Sequence, residues 1–340
     1  MTSLRPLPKH LNIVAVSSNY CSIPALKLPE GYTFTLTTYE RSTAEEALER
    51  IRDAHIAITI VTPLTAEALF EANSPQLRMI HSISVGTDHI DLKACAARGI
   101  TVLNTPNCNT VTVAEHALSL YFAVRRSLVP CMQKLNRDEW VRTGALVKTM
   151  FSNGATDPPR TLSQEVVAIV GYGAVGKAVQ ALFKLLGSTV RIVGRKGAVP
   201  AANSGRITFN EALAEASVIV LCCPRTAETE GLLSTDEFAA MRTDAVLVNV
   251  ARGGVVDEQA LLEALRSNKI AGAGIDVFDV EPAGADNSAL VGHQDEELNL
   301  VLTPHTAWNS LQTVENYQRV CQENVFDFVK GQVNVERVVV

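Results

Sequence analysis

The chain has 340 residues, enough for two domains of ordinary size and too many for one small core. Apolar residues make up 47% and charged residues 19%, a globular composition that excludes a disordered chain. The formal charge is −6 and the basic pairs are short (Arg125-Arg126, Arg195-Lys196), which excludes a broad nucleic-acid track and points to a small-molecule partner.

In chain order, Met1–His10 is polar and broken by proline, unlike a secretory leader, and no apolar run reaches the length of a membrane span. Asn12–Ser17, Tyr32–Thr38, Ile56–Val61, Met79–Ser84 and Thr101–Asn104 read as strands. Thr43–Ala54, Thr65–Ala72 and Asp91–Arg98 between them have helical spacing, with Asp88 and Asp91 as caps of the last. A long helix is expected over Val111–Leu135, and a surface loop over Arg142–Thr161, where Gly154, Pro158 and Pro159 interrupt the pattern. A second strand series follows: Val166–Val170, Thr189–Val193, Val218–Cys222, Ala245–Val250, Ala273–Val277 and Asn299–Thr303. The final helix, Leu311–Val329, is expected to fold back onto the first domain. Alternation of strand and helix implies two parallel, doubly wound α/β sheets, residues 1–110 with 311–340 and residues 111–310.

The seven cysteines include no Cys-x-x-Cys pair, so no metal site is expected; Cys222-Cys223 read as buried thiols. An odd number of cysteines argues for a reducing compartment, and the terminal valines match no targeting address, so the cytosol is the expected location.

Val166–Val170 runs directly into Gly171-Tyr172-Gly173-Ala174-Val175-Gly176 and then the helical Lys177–Leu186. Strand, glycine turn and helix together are the dinucleotide-binding fingerprint. The first glycine allows a tight turn, the second admits the pyrophosphate to the backbone, and the third lets helix approach strand. Ala174 and Val175 open the helix whose N-terminus faces the phosphates. An NAD site usually has an acid near the end of the next strand to hold the ribose hydroxyls. Here that place reads Val193-Gly194-Arg195-Lys196. Loss of the carboxylate and gain of two cations favour a 2′-phosphate, so NADPH is the expected cofactor, with NADH as the alternative.

Arg252, Glu281 and His305 each follow an apolar strand, at the sheet edge where open α/β folds bind ligands. The residues around them, Asn249–Asp257, Asp276–Pro282 and Thr303-Pro304-His305, resemble signatures of the D-2-hydroxy-acid dehydrogenase family. Val85–Asp91, Asn104-Thr105-Pro106 with Asn109-Thr110, and Val113–His116 resemble its other marks, in the family's order. The resemblance implies a Rossmann cofactor domain inserted into a flavodoxin-like substrate, or lid, domain. It implies that Arg252 binds the substrate carboxylate and polarises the 2-oxo group. His305 exchanges the proton with the carbonyl oxygen, and Glu281 orients and charges the imidazole. Val85 and Gly86 offer N–H groups to the carboxylate, while Asp276 and Pro224 belong to the cofactor site. His89, His116 and His293 are read as structural.

Glu281 argues against the related formate dehydrogenases, which lack an acid there. Only 35 residues follow His305, so the regulatory domain frequent in phosphoglycerate dehydrogenases is not expected. Ala307-Trp308 is similar to the glyoxylate/hydroxypyruvate reductase branch, with Trp308 as a pocket wall, and to the C-terminal-binding corepressors. Reduction of glyoxylate or hydroxypyruvate is the favoured reading, and bulkier 2-oxo acids stay open. A corepressor-like, dinucleotide-sensing scaffold is the alternative, which oxidation of NADPH by a panel of 2-oxo acids discriminates. The family also implies a homodimer, with Val111–Leu135 at its interface.

Overall fold

The computed structural model describes residues 6–147, 158–293 and 296–340. Part of the loop expected over Arg142–Thr161 lies outside the described residues. The chain divides into two compact units, Met1–Asn109 with Asn309–Val340, and Thr110–Trp308.

In the first unit, β1 (His10–Ala15), β2 (Thr33–Thr38), β3 (Ile56–Thr59), β4 (Met79–Ser82) and β5 (Thr101–Leu103) are all parallel. Their order, β2-β1-β3-β4-β5, is the flavodoxin-like doubly wound order. Helix α1 (Ala44–Arg50) starts in a capping box between Thr43 and Glu46. Helix α2 (Leu92–Arg98) starts where the Asp91 carboxylate takes the Ala94 N–H, and it ends on left-handed Gly99. The stretch Thr65–Ala72, expected to be helical, forms only turns. Asn73 and Ser74 explain why: their side chains take the Glu67 and Ala68 carbonyls, which a continuing helix would have used.

The second unit opens with α3 (Thr110–Arg125), α4 (Leu128–Asn136) and α5 (Glu139–Thr143). The single helix expected over Val111–Leu135 is broken at Ser127, whose φ of 48° is left-handed. Pro130 lies in the first turn of α4, where its missing N–H costs nothing, so the chain restarts there rather than running through. The dinucleotide fingerprint spans β6 (Val166–Val170) and α6 (Ala174–Leu185). After them come β7 (Thr189–Val193), the short β8 (Arg206–Ile207), α7 (Phe209–Glu215), β9 (Val218–Leu221), α8 (Thr235–Ala240), β10 (Val246–Asn249), α9 (Glu258–Arg266), β11 (Gly272–Ile275) and β12 (Leu300–Leu302).

These strands pair in the order β12-β11-β10-β9-β6-β7-β8, all parallel, with the winding direction reversing once, between β6 and β9. Alternate residues of one strand feed two cores. Ala168 and Val170 join one apolar cluster with Ile219 and Leu247; Val167 and Ile169 join the other with Val218 and Val246. A sheet buried on both faces explains the continuous apolar runs in the sequence.

The chain then returns to the first unit as α10 (Leu311–Lys330), which buries Tyr317, Val320, Cys321 and Val325 and contacts β4. Beyond it the terminal valines complete the sheet edge: Val339 N–H donates to Val102 O (2.8 Å) and Val102 N–H to Val340 O (2.9 Å). No described helix is long and apolar enough to cross a membrane.

Candidate active site

The glycines after β6 have separate jobs. Gly171, at φ 92°, leaves no room for a side chain: a Cβ there would stand 2.5 Å from Cys223 N. A Cβ on Gly176 would stand 2.2 Å from Gly171 O, so α6 approaches β6 only through glycine. A Cβ on Gly173, in contrast, would meet nothing within 4 Å. Packing does not demand that glycine, and the space in front of it is open. The N–H groups of Ala174, Val175 and Gly176 have no hydrogen-bond partner among the described residues, and they stand at the positive end of α6. This cradle fits a dinucleotide pyrophosphate. Pro224 follows the Cys222-Cys223 backbone that closes over Gly171, and its carbonyl accepts from Thr229 Oγ1 (2.7 Å). Burial pushes both of these thiols up, to about 12 for Cys222, so they stay protonated.

Past β7, Arg195 is 84% exposed, with Glu228 3.9 Å away. Lys196 is not presented in the same way. Its Nζ pairs with Glu237 (2.8 Å) and donates to Leu232 O (3.2 Å). Burial raises the Glu237 carboxyl, but bonds from Lys196 and Ser234 bring it below the usual carboxylate range. Lys196 therefore ties β7 to α8, and Arg195 is the more exposed of the two cations. No sequence pattern linked Lys196 to Glu237, which lies 41 residues away.

Past β10, Asn249 shapes the loop that carries Arg252: its Oδ1 accepts from Ala251 N–H (3.0 Å) and its Nδ2 donates to Arg252 O (3.3 Å). Gly253 presses this loop onto the one after β11, since a Cβ there would fall 1.8 Å from Phe278 O. Past β11, Glu281 Oε1 accepts from Phe278 N–H (3.0 Å) and Oε2 lies 2.6 Å from His305 Nδ1. Burial raises the Glu281 carboxyl, yet His305, the Phe278 N–H and the Arg252 charge together hold it below its ordinary value. The acid is thus an anion against Nδ1, and Nε2 of the same ring has no partner among the described residues. A side-chain charge from Arg252 and an acid–imidazole pair are gathered at the carboxyl end of one sheet.

Asp276 is 1% exposed, and its carboxylate takes the Thr303 hydroxyl (2.6 Å) and the N–H groups of Thr306 (2.9 Å) and Ala307 (3.0 Å). Besides the cofactor contact expected of it, it holds the turn that presents His305. His116, read from sequence as structural, reaches the same group through Thr303 (2.9 Å). The one available signal was its place in Val113–His116, beside the other marks.

Residues 118–307 match the family model described as D-isomer specific 2-hydroxyacid dehydrogenase, NAD binding domain. A glycerate dehydrogenase of Methylorubrum extorquens is 34% identical over 291 residues, 85% of this chain and 87% of its own. The chain belongs to the D-2-hydroxyacid dehydrogenase family.

A glyoxylate reductase of Pyrococcus furiosus is 32% identical, covering 85% of this chain and 83% of its own. The solved NADPH-dependent glyoxylate/hydroxypyruvate reductase of Sinorhizobium meliloti, in complex with NADP and malonate, superposes with a TM-score of 0.72. It is 27% identical and covers 93% of this chain and 92% of its own. This dehydrogenase is accordingly an oxidoreductase that interconverts 2-oxo and 2-hydroxy acids with a nicotinamide cofactor.

In the first unit of the dehydrogenase, Val85 and Gly86 follow β4. Their carbonyls are taken by Asn104 Nδ2 (2.8 Å) and Ser84 Oγ (2.6 Å), while their N–H groups have no partner among the described residues. Two such donors suit a carboxylate. Asp91 caps α2 as expected. Trp308 lies partly buried against the apolar cluster of α3 and the sheet.

Proposed function

We propose that this dehydrogenase reduces glyoxylate or hydroxypyruvate to the 2-hydroxy acid, of the D hand where the carbon is chiral, with NADPH as preferred reductant. The observation that carries the proposal is the 2.6 Å contact between His305 Nδ1 and an ionised Glu281, which leaves Nε2 to exchange a proton with substrate. The names of the P. furiosus and S. meliloti relatives support the choice of acid.

Residues 111–310 act as the dinucleotide domain, and residues 1–110 with 311–340 as the substrate, or lid, domain. Gly171, Gly173 and Gly176 with the first N–H groups of α6 hold the pyrophosphate, and Arg195 holds the 2′-phosphate. When bound, the cofactor supplies a hydride to the 2-oxo carbon. Arg252 presents a planar fork to the substrate carboxylate and draws charge toward the carbonyl oxygen. His305, protonated before the reaction, gives its Nε2 proton to that oxygen and is left neutral. Glu281 stabilises the imidazolium and fixes Nδ1 as the protonated nitrogen afterwards.

Oxidation of NADPH and NADH by glyoxylate and hydroxypyruvate tests the reading. The expected result is higher kcat/KM with NADPH, falling about tenfold in Arg195→Ala with NADH use unchanged, as for a charge-assisted phosphate contact. A preference for NADH, or equal loss with both cofactors, overturns the NADPH assignment; no turnover of either acid overturns the substrate.

The chain is also proposed to pair as a homodimer through α3–α5. Val111, Met132, Leu135, Trp140 and Val141 are all exposed there, by 53% to 84%. Light scattering tests this, and a monomer at micromolar concentration refutes it.

A further inference from the structure

Three residues of α3, each one helical turn apart, meet alternate residues of β11 and its continuation. Val124 Cγ1 lies 2.7 Å from where a Cβ on Gly272 would be, and Leu120 Cβ lies 2.8 Å from that of Gly274. His116 Nε2 lies 3.6 Å from Asp276 Oδ1. Four residues of helix rise about 6 Å and two residues of strand about 6.6 Å, so the antiparallel register holds across all three pairs. The two glycines let the helix lie directly on the strand. That approach delivers the His116 imidazole to the carboxyl end of the sheet.

There, Nε2 is 2.9 Å from Thr303 Oγ1, whose hydroxyl hydrogen goes to Asp276 Oδ1 at 2.6 Å. With that hydrogen spent, His116 Nε2–H must be the donor to the hydroxyl oxygen. Asp276 in turn takes the N–H groups of Thr306 and Ala307, and its carbonyl takes the His305 N–H at 2.8 Å. His305 has a φ of 52°, left-handed for a residue with a side chain, a strained conformation that persists only where the surroundings impose it. The turn on either side of His305 is thus bound to one carboxylate, and His116 orients the hydroxyl that completes it.

We propose that His116 is a positioning residue for the reaction: its Nε2–H sets the Thr303 hydroxyl on Asp276, and Asp276 sets the turn that aims His305. The proposal rests on His305 being the proton donor. In His116→Ala, kcat for glyoxylate reduction falls about tenfold, in line with a small misplacement of the acid, while glyoxylate KM and NADPH Kd change less than about twofold. His116→Gln, whose amide can donate to Thr303, recovers most of the rate. Thr303→Val repeats the loss, and the His116→Ala/Thr303→Val double variant is no worse than either single one. In cofactor-free protein, the NMR resonance of the His305 Nδ1 proton against Glu281 shifts or broadens in His116→Ala and returns in His116→Gln.

Unchanged kcat and resonance, a loss confined to KM, a Gln variant no better than Ala, or additive losses in the double variant overturn the proposal. His305→Ala is the control: full activity in that variant removes His305 from the chemistry, whereas an inactive His305→Ala beside a normal His116→Ala overturns only the role of His116.

Discussion

Replacing Glu281 by Gln keeps the shape of the side chain and removes its charge from the 2.6 Å contact with His305. The amide can still accept the Phe278 N–H now bound to Oε1, so the loop keeps its form. What is lost is the anion that favours imidazolium. Hydrogen bonds to charged groups contribute about 1.5–3 kcal/mol, and exposed ion pairs about 0.2–1 kcal/mol. With His305 43% and Glu281 34% exposed, solvent screens the pair partly, and about 1–1.5 kcal/mol is the working figure. That corresponds to about tenfold in rate.

The loss follows the charge on Glu281. Reduction draws a proton from the imidazolium. Burial raises the Glu281 carboxyl, but His305 and the Phe278 N–H hold it below its ordinary value, so the acid is charged and the deficit should stand at its full size from about pH 5 upward. The assay is kcat/KM for glyoxylate reduction from about pH 5 to about pH 9, followed through the absorbance of the reduced nicotinamide. No deficit at any of these pH values refutes the electrostatic reasoning.

The glycine turn gives a paired prediction. Gly176→Ala, with its Cβ 2.2 Å from Gly171 O, should destabilise the dehydrogenase by roughly 1–3 kcal/mol and abolish NADPH binding, whereas Gly173→Ala should melt normally and weaken binding alone. Calorimetric melts and titrations separate them; equal melting of the two variants contradicts the assignment. On the opposite edge of the sheet, burial raises the Asp244 carboxyl but bonds from Arg242 (2.8 Å) and Arg160 (2.8 Å) outweigh it and hold it at about 2, against 3.8 unperturbed. The folded value lies below the unfolded one, so the stabilisation is complete above about pH 4 and is lost as pH falls through about 2. Asp244→Asn should cost about 1–2 kcal/mol at neutral pH after allowance for solvent exposure, and denaturation curves should show the gap closing with acid. A gap that does not change with pH counts against the ion pairs.

Much of this was legible without coordinates because it is local. A strand, three glycines and a helix in succession can form only a narrow turn with free N–H groups, and the doubly wound sheets follow from apolar runs separated by helical spacing. Arg252, Glu281 and His305 could be selected because each follows a strand, and strand ends in such sheets share one edge. Local patterns also misled. Thr65–Ala72 has helical spacing, but Asn73 and Ser74 bind the carbonyls a helix would need. Val111–Leu135 reads as one helix until Pro130 and the left-handed Ser127 are given their weight.

Tertiary structure alone decided which charges are already spent. Arg195 and Lys196 are neighbours of like charge in the sequence, yet Glu237 engages Lys196 while Arg195 stands in solvent. His116 and Asp276 lie 160 positions apart, and only the seating of α3 on two strand glycines brings them within 3.6 Å. Backbone conformation and the order of elements are set by interactions within a few residues, which a sequence displays directly. The partner of a side chain is set by the register between elements distant in the chain, and that register exists only after the cores have packed.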